Sequence, residues 1–190
     1  MKTQHYFNTR LLVEIALFSV LCVILDLFSF KAWGQGGSIS LQMLPIFVIA
    51  FRHGLKAGSI TGLIFGLLQL LLGAYILNPI QAFLDYPLAF MLVGSAGIFS
   101  KSIQTAISKG KNGRLIFFIF VGTLLGSLLR LIVHIISAMI YFSAGATGHQ
   151  SVLAYATIYN VSYMVPSFIL TTLIIMAMFS AFKRLLVTNQ

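Results

Sequence analysis

The sequence predicts an all-α membrane protein with six transmembrane helices, and three observations lead to that prediction. The 190-residue chain is 59% hydrophobic and only 8% charged. Its mean hydropathy of +1.00 is far above that of a soluble domain. Its apolar residues also form long runs that short polar or basic segments separate. We therefore expect a single transmembrane domain over residues 1–190.

The first two predicted spans differ in length. The basic start of the chain, which ends at Arg10, leads into an apolar run from Leu11 to Phe30. We interpret this run as a helix, because it is longer than a signal-peptide core and no small-residue cleavage site follows it. A glycine-rich loop, residues 31–40, contains Trp33 and precedes a second span from Leu41 to Phe51. Because that span is short, we expect it to be tilted, irregular or shielded by its neighbours.

The third and fourth spans contain residues that predict their packing. The third span, from about Ala57 to Leu77, has three glycines at four-residue spacing, which lets another backbone approach closely. These glycines are Gly58, Gly62 and Gly66. The fourth span runs from about Ile80 to Ser100. It contains Pro87 two residues after Asp85, and we expect the proline to disturb the helix at this carboxylate.

The remaining spans follow the most hydrophilic part of the sequence. Residues 101–114, KSIQTAISKGKNGR, contain four basic residues and no acidic one, and we expect them to form a connection. A fifth span then extends to about Phe142. After the loop SAGATGHQS, a sixth span runs from about Val152 to Phe182.

The distribution of basic residues predicts the orientation. Of the 12 Lys and Arg residues, ten lie in segments on one side of a six-span arrangement. Lys31 alone lies in a loop on the other side, and Arg130 lies within a span. By the positive-inside rule both termini are cytoplasmic. The net charge of +9 is thus explained by membrane topology, and the absence of interleaved aromatic and basic residues argues against nucleic-acid binding.

Arg130 and His134 are the most unusual residues within a span. They are four residues apart, so they share one face of a helix with small and hydroxyl side chains. The other members of that face are Gly122, Gly126, Ser127, Ser137 and Tyr141. An arginine deep in a span costs about 2.5 to 3.5 kcal/mol on insertion scales, so it needs a partner and usually marks a site. Only three acidic residues are present to supply that partner.

The other polar and aromatic candidates fall at the same predicted depth, in the extracellular half. Each of them lies at the outer end of a predicted span or in an outer loop. They are Trp33, Tyr75, Asp85, Tyr86, Tyr155, Tyr159 and Asn160. Because Arg130 and His134 also lie beyond the middle of the outward-running fifth span, we expect one ligand pocket that opens to the outside.

The chemistry of these side chains favours a flat heteroaromatic ligand with a cationic part. Aromatic faces and a carboxylate attract a cation, at about 0.5 to 2 kcal/mol for each cation–π contact. Asp85 can accept two hydrogen bonds from an aminopyrimidine edge, and Asn160 can both donate and accept. Arg130 would repel a cation unless Asp85 neutralises it or it turns toward an anionic or hydroxyl tail.

Purely structural interpretations stay open for the same residues. An Arg–Asp pair can simply tie the fourth span to the fifth. His134 can donate a hydrogen bond between helices. Tyr155, Tyr159 and Tyr163 at four-residue spacing are typical of a packing stripe. The lone Cys22 offers neither an internal disulfide nor a metal-ligand cluster.

Several short motifs occur in a recognisable order. They are MLPIFVIAFRHGLKAG at residues 43–58, LDYPLAF at 84–90, LLRLIVHIISA at 128–138, and Tyr155 followed by Tyr159 and Asn160. In order and spacing the chain resembles the thiamine-specific substrate-binding component of energy-coupling factor vitamin transporters, along essentially its whole length.

The resemblance implies a six-helix protein of the bacterial plasma membrane that captures thiamine from outside. It implies as partners a transmembrane coupling subunit and two cytoplasmic ATPases. No covalent chemistry, catalytic residue, metal or cofactor is implied. The sequence contains no G-x-x-x-x-G-K-[ST] run that would bind a nucleotide.

By position in those motifs, the resemblance also implies a set of ligand contacts. They are Asp85, Tyr86, Tyr75, Arg130, His134, Tyr155, Asn160, Trp33 and Phe142, with Arg130 in place of a basic side chain. The family position matched to Asp85 is commonly glutamate, so the carboxylate here is one methylene shorter. A tryptophan expected about two turns after the histidine is replaced by Tyr141 or Phe142.

Three other functions compete with thiamine capture. The first is the same transporter class with another vitamin or precursor, such as a hydroxymethylpyrimidine-like ligand or riboflavin. The second is a small intramembrane enzyme with Asp85 and His134 as acid and base, against which we find no nucleophile, metal cluster or second carboxylate at that depth. The third is a self-sufficient secondary transporter, which would need coupling-ion sites and usually internal repeats.

Overall fold

The computed structural model describes residues 8–31, 34, 37–147 and 151–182. In this part of the chain six helices and one isolated β-bridge, between Phe30 and Ile39, form the fold. The helices are α1 (Thr9–Leu27), α2 (Leu44–His53), α3 (Leu55–Leu71), α4 (Pro79–Ser108), α5 (Asn112–Tyr141) and α6 (Val152–Ala181). A short 3₁₀ turn, Ser143–Gly145, follows α5. The predicted all-α fold is confirmed.

Helix lengths divide the bundle into two groups. The helices α4, α5 and α6 each have 30 residues and are long and apolar enough to cross a membrane. The helices α2 and α3 are apolar but shorter. Helix α1 has 19 residues and includes Arg10, Glu14 and Asp26. The structure thus combines three long apolar helices with three shorter ones.

The short helix α2 forms the centre of the bundle. Its residues from Leu44 to Phe51 are all buried, which confirms that neighbouring helices shield the short second span. Phe51 packs against Phe47 in α2 and against Phe179 in α6. Gly54, with φ of 92°, ends α2 and lets α3 begin immediately, because a positive φ suits glycine alone.

The predicted close approach at the glycines of α3 is confirmed, and the partner is α4. A Cβ atom at Gly66 would lie 2.6 Å from the Tyr86 carbonyl oxygen, and one at Gly62 would collide with the Phe90 carbonyl. Only glycine therefore allows the two backbones to meet here. This contact fixes the position of the segment that carries Asp85 and Tyr86.

Helix α4 is irregular where the sequence predicts it. A π-helical turn runs from Leu84 to Leu88 and includes Pro87, and the Ala89 N–H bonds to the Leu84 carbonyl. Proline lacks an N–H group, so the regular α-helical ladder cannot continue through it. The widened turn contains Asp85, and a 3₁₀ segment follows at Gly94–Phe99.

Two predicted helix ends are wrong. Helix α3 ends at Leu71, six residues before Leu77, because Gly73 adopts a φ of 104°. The predicted connection after Ser100 is helical as far as Ser108. Ile103 and Ala106 are buried on one face of this extension. The segment is therefore an amphipathic helix, and packing of its apolar face stabilises it.

An ion cluster joins the start of α1 to the turn between α2 and α3. Arg10 and Arg52 reach the Glu14 carboxylate at 3.3 and 3.2 Å. His53 Nε2 lies 2.8 Å from Glu14 Oε2. These contacts explain Glu14 as a structural residue, as its position near the end of the first span suggests.

Candidate functional site

A cavity of about 200 Å³ lies between α1, α4, α5 and α6, beside the loop that connects α1 to α2. Its lining combines carboxylates, cations, amides and aromatic rings. The polar and aromatic side chains of the lining include Asp26, Gln42, Tyr75, Gln81, Asp85, Tyr86, Phe90, Arg130, His134, Phe142, Tyr159, Asn160 and Tyr163. Ser167 of α6 anchors the loop, because its hydroxyl accepts a 3.2 Å hydrogen bond from the Ser40 N–H.

Asp85 is held from one side only. Gln81, four residues earlier in α4, donates a 2.6 Å hydrogen bond from Nε2 to Asp85 Oδ2. The other oxygen, Oδ1, is buried, and no donor of the described residues reaches it with good hydrogen-bond geometry. His134 Nδ1 lies 3.5 Å from this oxygen and is not aligned for a hydrogen bond. A buried carboxylate oxygen that lacks a donor can accept a hydrogen bond from a ligand.

Arg130 and His134 interact on the shared face of α5. Arg130 Nε donates to His134 Nε2 over 3.2 Å. Because Nε2 accepts this bond, the imidazole carries its proton on Nδ1 and presents it toward Asp85. The Arg130 guanidinium also lies 4.2 Å from the centre of the Phe90 ring, which gives the buried cation an aromatic face.

The acidic side chain linked to Arg130 is Asp26, through Gln42. The Gln42 amide oxygen lies 3.1 Å from Arg130 Nη2, and its nitrogen lies 2.8 Å from Asp26 Oδ1, when the amide faces each neighbour with the complementary atom. The direct Arg–Asp tie between the fourth and fifth spans is therefore absent from the described ion pairs. Asp85 instead faces the His134 imidazole, with 3.5 Å between Oδ1 and Nδ1.

Aromatic side chains border the cavity near the end of α3. The Tyr86 hydroxyl accepts a 2.8 Å hydrogen bond from the Tyr75 N–H. The Tyr75 ring lies beside the Phe142 ring, with 6.1 Å between centroids. Gln81 holds the same segment, because its Nε2 also reaches the Tyr75 carbonyl at 3.2 Å. These contacts place rings from α4 and from the segment before it next to Asp85.

Helix α6 contributes Asn160 and two tyrosines. Asn160 Nδ2 donates to the Ala156 carbonyl over 2.8 Å, and its Oδ1 accepts a 2.6 Å hydrogen bond from the Tyr163 hydroxyl. The Tyr163 ring meets the His134 ring and the Tyr159 ring edge to face. These two hydrogen bonds, both within α6, fix the orientation of the Asn160 amide, which is 3% exposed and lies at the cavity wall.

These groups can bind a flat heteroaromatic molecule with a cationic part. Asp85 supplies a hydrogen-bond acceptor and negative charge, and tyrosine faces supply cation–π contacts. Within the described ranges, no three His, Cys, Asp or Glu side chains form a group that could hold a metal ion. The carboxylate, the amide groups and the aromatic rings of the lining support recognition of a ligand.

Comparison with known proteins decides the family. The family model described as "Thiamine transporter protein (Thia_YuaJ)" matches residues 12–187. The chain belongs to the thiamine transporter family. Because the matched range includes all of α2 to α6 and nearly all of α1, the family assignment covers the whole helical bundle.

Relatives of the thiamine transporter family match over nearly their whole length. The chain is 40% identical over 182 residues to thiamine transporter ThiT of Bacillus subtilis, covering 94% of this chain and 95% of that protein. It is 26% identical over 191 residues to ThiT of Lacticaseibacillus paracasei, covering 98% and 95%. A solved structure of ThiT from Listeria monocytogenes superposes with a TM-score of 0.89 at 28% identity and covers 95% of this chain and 100% of that one. These relatives are named as transporters, which confirms that the chain is a membrane transport protein and not an enzyme.

Most of the nine ligand contacts that the resemblance implies lie in the cavity lining. Seven line it: Asp85, Tyr86, Tyr75, Arg130, His134, Asn160 and Phe142. Tyr155 lies in the first turn of α6 outside the lining, with its ring 6.0 Å from the Tyr159 ring. Trp33 lies outside the described residues.

Several polar or aromatic lining residues of this family member were not among the predicted pocket residues. They include Asp26, Gln42, Gln81 and Tyr163. Gln81 could have been found, because it lies four residues before Asp85 and so shares its helical face. Tyr159, a predicted pocket residue, lines the cavity, and so does Tyr163, which was interpreted only as part of a packing stripe; the two rings do pack on one another. Asp26 and Gln42 gave no local signal, since their contacts are with distant parts of the chain.

Proposed function

We propose that this chain binds thiamine in the cavity around Asp85 and thereby serves as the substrate-binding subunit of an ATP-driven vitamin importer. The observation that carries the proposal is the buried Asp85 Oδ1, which no donor of the described residues reaches with good hydrogen-bond geometry. A buried acceptor without a partner costs about 1 to 3 kcal/mol, so a ligand donor at this atom gains the corresponding stabilisation.

Thiamine matches the remaining groups part by part. Its aminopyrimidine ring can donate from the exocyclic amine to Asp85 and exchange hydrogen bonds with Asn160. Its cationic thiazolium ring suits the faces of Tyr86 and Tyr75. Its hydroxyethyl tail suits Arg130, whose guanidinium is a hydrogen-bond donor. His134 and Phe142 complete the set of seven contacts that we propose.

In the proposed arrangement, six helices cross the cell membrane and both termini are cytoplasmic. The charge distribution supports this, because ten of the 12 Lys and Arg residues fall on one side. The contact between Glu14 and Arg52 also supports it, since it joins the start of α1 to the turn between α2 and α3. Both belong to the side assigned to the cytoplasm, and the cavity then opens outward.

The proposed partners are a transmembrane coupling subunit and two cytoplasmic ATPases. The sequence has no phosphate-binding G-x-x-x-x-G-K-[ST] run, so another subunit must bind ATP if transport is ATP-driven. The resemblance to energy-coupling factor substrate-binding components supplies the identity of those partners.

Ligand titration of the purified protein tests the binding proposal. Intrinsic tryptophan fluorescence or calorimetry during thiamine addition should show saturable binding at submicromolar concentration, and riboflavin should not compete. Saturable binding of riboflavin without binding of thiamine would overturn the specificity.

Reconstitution tests the role as a subunit. Proteoliposomes that contain this chain alone should bind thiamine but not accumulate it. Adding the coupling subunit, both ATPases and ATP should give uptake. Accumulation by the chain alone would identify a self-sufficient transporter instead.

A further inference from the structure

Asp26 and Arg130 form the two ends of a bridged charge pair beside the cavity. Gln42 lies between them, and with its amide turned to give each neighbour the complementary atom its nitrogen lies 2.8 Å from Asp26 Oδ1 and its oxygen 3.1 Å from Arg130 Nη2. Gln42 is 4% exposed and Arg130 is 5% exposed. A buried amide bonded at both ends fixes the distance and orientation of the two charged groups.

The charges around the cavity balance only if Asp26 is counted. Among the described lining residues, the carboxylates are Asp26 and Asp85, and the cations are Lys31 and Arg130. The imidazole of His134 accepts from Arg130 and is therefore neutral. Removal of the Asp26 charge would leave the lining with one excess positive charge, which disfavours a cationic ligand.

Asp85, the other carboxylate of the lining, does not balance the charge of Arg130 by itself. Asp85 is occupied by Gln81 on one oxygen and faces His134 with the other. Arg130 reaches it only through His134, whereas it reaches Asp26 through the shorter route of a single amide. The Oδ1 atom of Asp85 thus remains available to the ligand while Asp26 offsets the charge of the guanidinium.

We propose that Asp26 is a specificity-determining positioning residue that, through Gln42, balances the charge of Arg130 and lets the cavity accept a ligand cation. This inference rests on the proposed function, because it concerns how thiamine is accepted. Asp26 acts through Gln42 and the electrostatic field, and it need not touch the ligand.

The test compares a cationic with a neutral ligand of the same shape. Dissociation constants are measured for thiamine and for an analogue whose thiazolium is replaced by an uncharged thiophene ring. In Asp26→Asn, which keeps the shape and an acceptor for Gln42, the preference for thiamine over the analogue should fall about tenfold. The Asp26→Glu variant keeps the charge and should retain the preference. Asp26→Ser offers a second neutral replacement if Asp26→Asn expresses poorly.

Glu14→Gln is the matched control. Glu14 lies on the same helix, about 18 Å along the axis at 1.5 Å per residue, and its partners are Arg10, Arg52 and His53. Removing the charge of Glu14 should leave the preference for thiamine over the uncharged analogue unchanged.

The outcomes separate this inference from the proposed function. Suppose that the wild-type chain binds thiamine. If Asp26→Asn then weakens the binding of both ligands equally, or changes the binding of neither, the role of Asp26 in charge selection is overturned while thiamine binding stands. If the wild-type chain does not bind thiamine, the proposed function fails and this inference fails with it.

Discussion

Two carboxylates at opposite ends of the bundle have similar side-chain exposure and differ in their hydrogen-bond and ion-pair partners. The side chains of Glu14 and Asp85 are 16% and 12% exposed. Two arginine side chains and the His53 imidazole lie within 3.3 Å of the Glu14 carboxylate. Asp85 has one short hydrogen bond, from Gln81, and a buried oxygen without one. Burial alone therefore does not identify a binding residue in this fold, whereas an incompletely satisfied carboxylate does.

The sharpest test of this comparison removes the charge of Asp85. Asp85→Asn should weaken thiamine binding about 100-fold, or ~2.7 kcal/mol, because a charged acceptor for the ligand amine is lost. Calorimetric titration measures the loss, and thermal unfolding verifies that the variant is folded. Asp85→Glu keeps the carboxylate and should recover most of the affinity. An unchanged dissociation constant in Asp85→Asn would show that the free oxygen has no role in binding.

A smaller loss should follow when the support of Asp85 is removed. Gln81→Leu deletes the donor to Asp85 Oδ2 and the contact with the Tyr75 carbonyl. We expect about tenfold weaker binding, because the carboxylate and the nearby tyrosine become less well oriented. The matched control is Gln104→Leu in the same helix, since Gln104 bonds to the Phe51 carbonyl away from the cavity. Equal losses in the two variants would contradict a specific role for Gln81.

Two tyrosines four residues apart on α6 sharpen the boundary of the site. Tyr159 lines the cavity and Tyr155 does not. Tyr159→Leu should weaken binding about fivefold through loss of an aromatic face, and Tyr155→Leu less than twofold. Titrations of both variants under the same conditions measure the difference. A larger effect at Tyr155 would extend the site into the first turn of α6, as the family resemblance implies.

The smallest effect on binding is expected at the satisfied carboxylate. Glu14→Gln should leave the thiamine dissociation constant within twofold of wild type. It should lower the stability of the fold by about 1 kcal/mol, which corresponds to a fall in Tm of about 2–4 °C. Thermal unfolding with and without thiamine measures both. A strong loss of affinity at Glu14 would break the distinction between the two carboxylates.

Local chemistry made part of this fold predictable from sequence. The glycines of α3 had to meet another backbone, and they meet α4 at Tyr86 and Phe90. Pro87 had to disturb its helix, and a π-helical turn surrounds it. Arg130 and His134 had to share a face, and they are hydrogen bonded. Each of these inferences used residues within a few positions of one another.

The remaining features depend on contacts between distant segments. The bridge from Asp26 through Gln42 to Arg130 joins α1, the loop before α2, and α5. These segments are far apart in the sequence, so no short sequence pattern predicts the bridge. The early end of α3 depends on the backbone conformation of Gly73, and glycine at that position was equally compatible with a longer helix. Tertiary structure is what turned Asp26 from a helix-end residue into part of the cavity lining.

A structure of the protein with thiamine bound would test the central claim most directly. We predict density for the aminopyrimidine ring within the cavity, with its amine in hydrogen-bond distance of Asp85 Oδ1. Thiamine bound elsewhere, or bound in the cavity with that oxygen still lacking a hydrogen bond, would contradict the account.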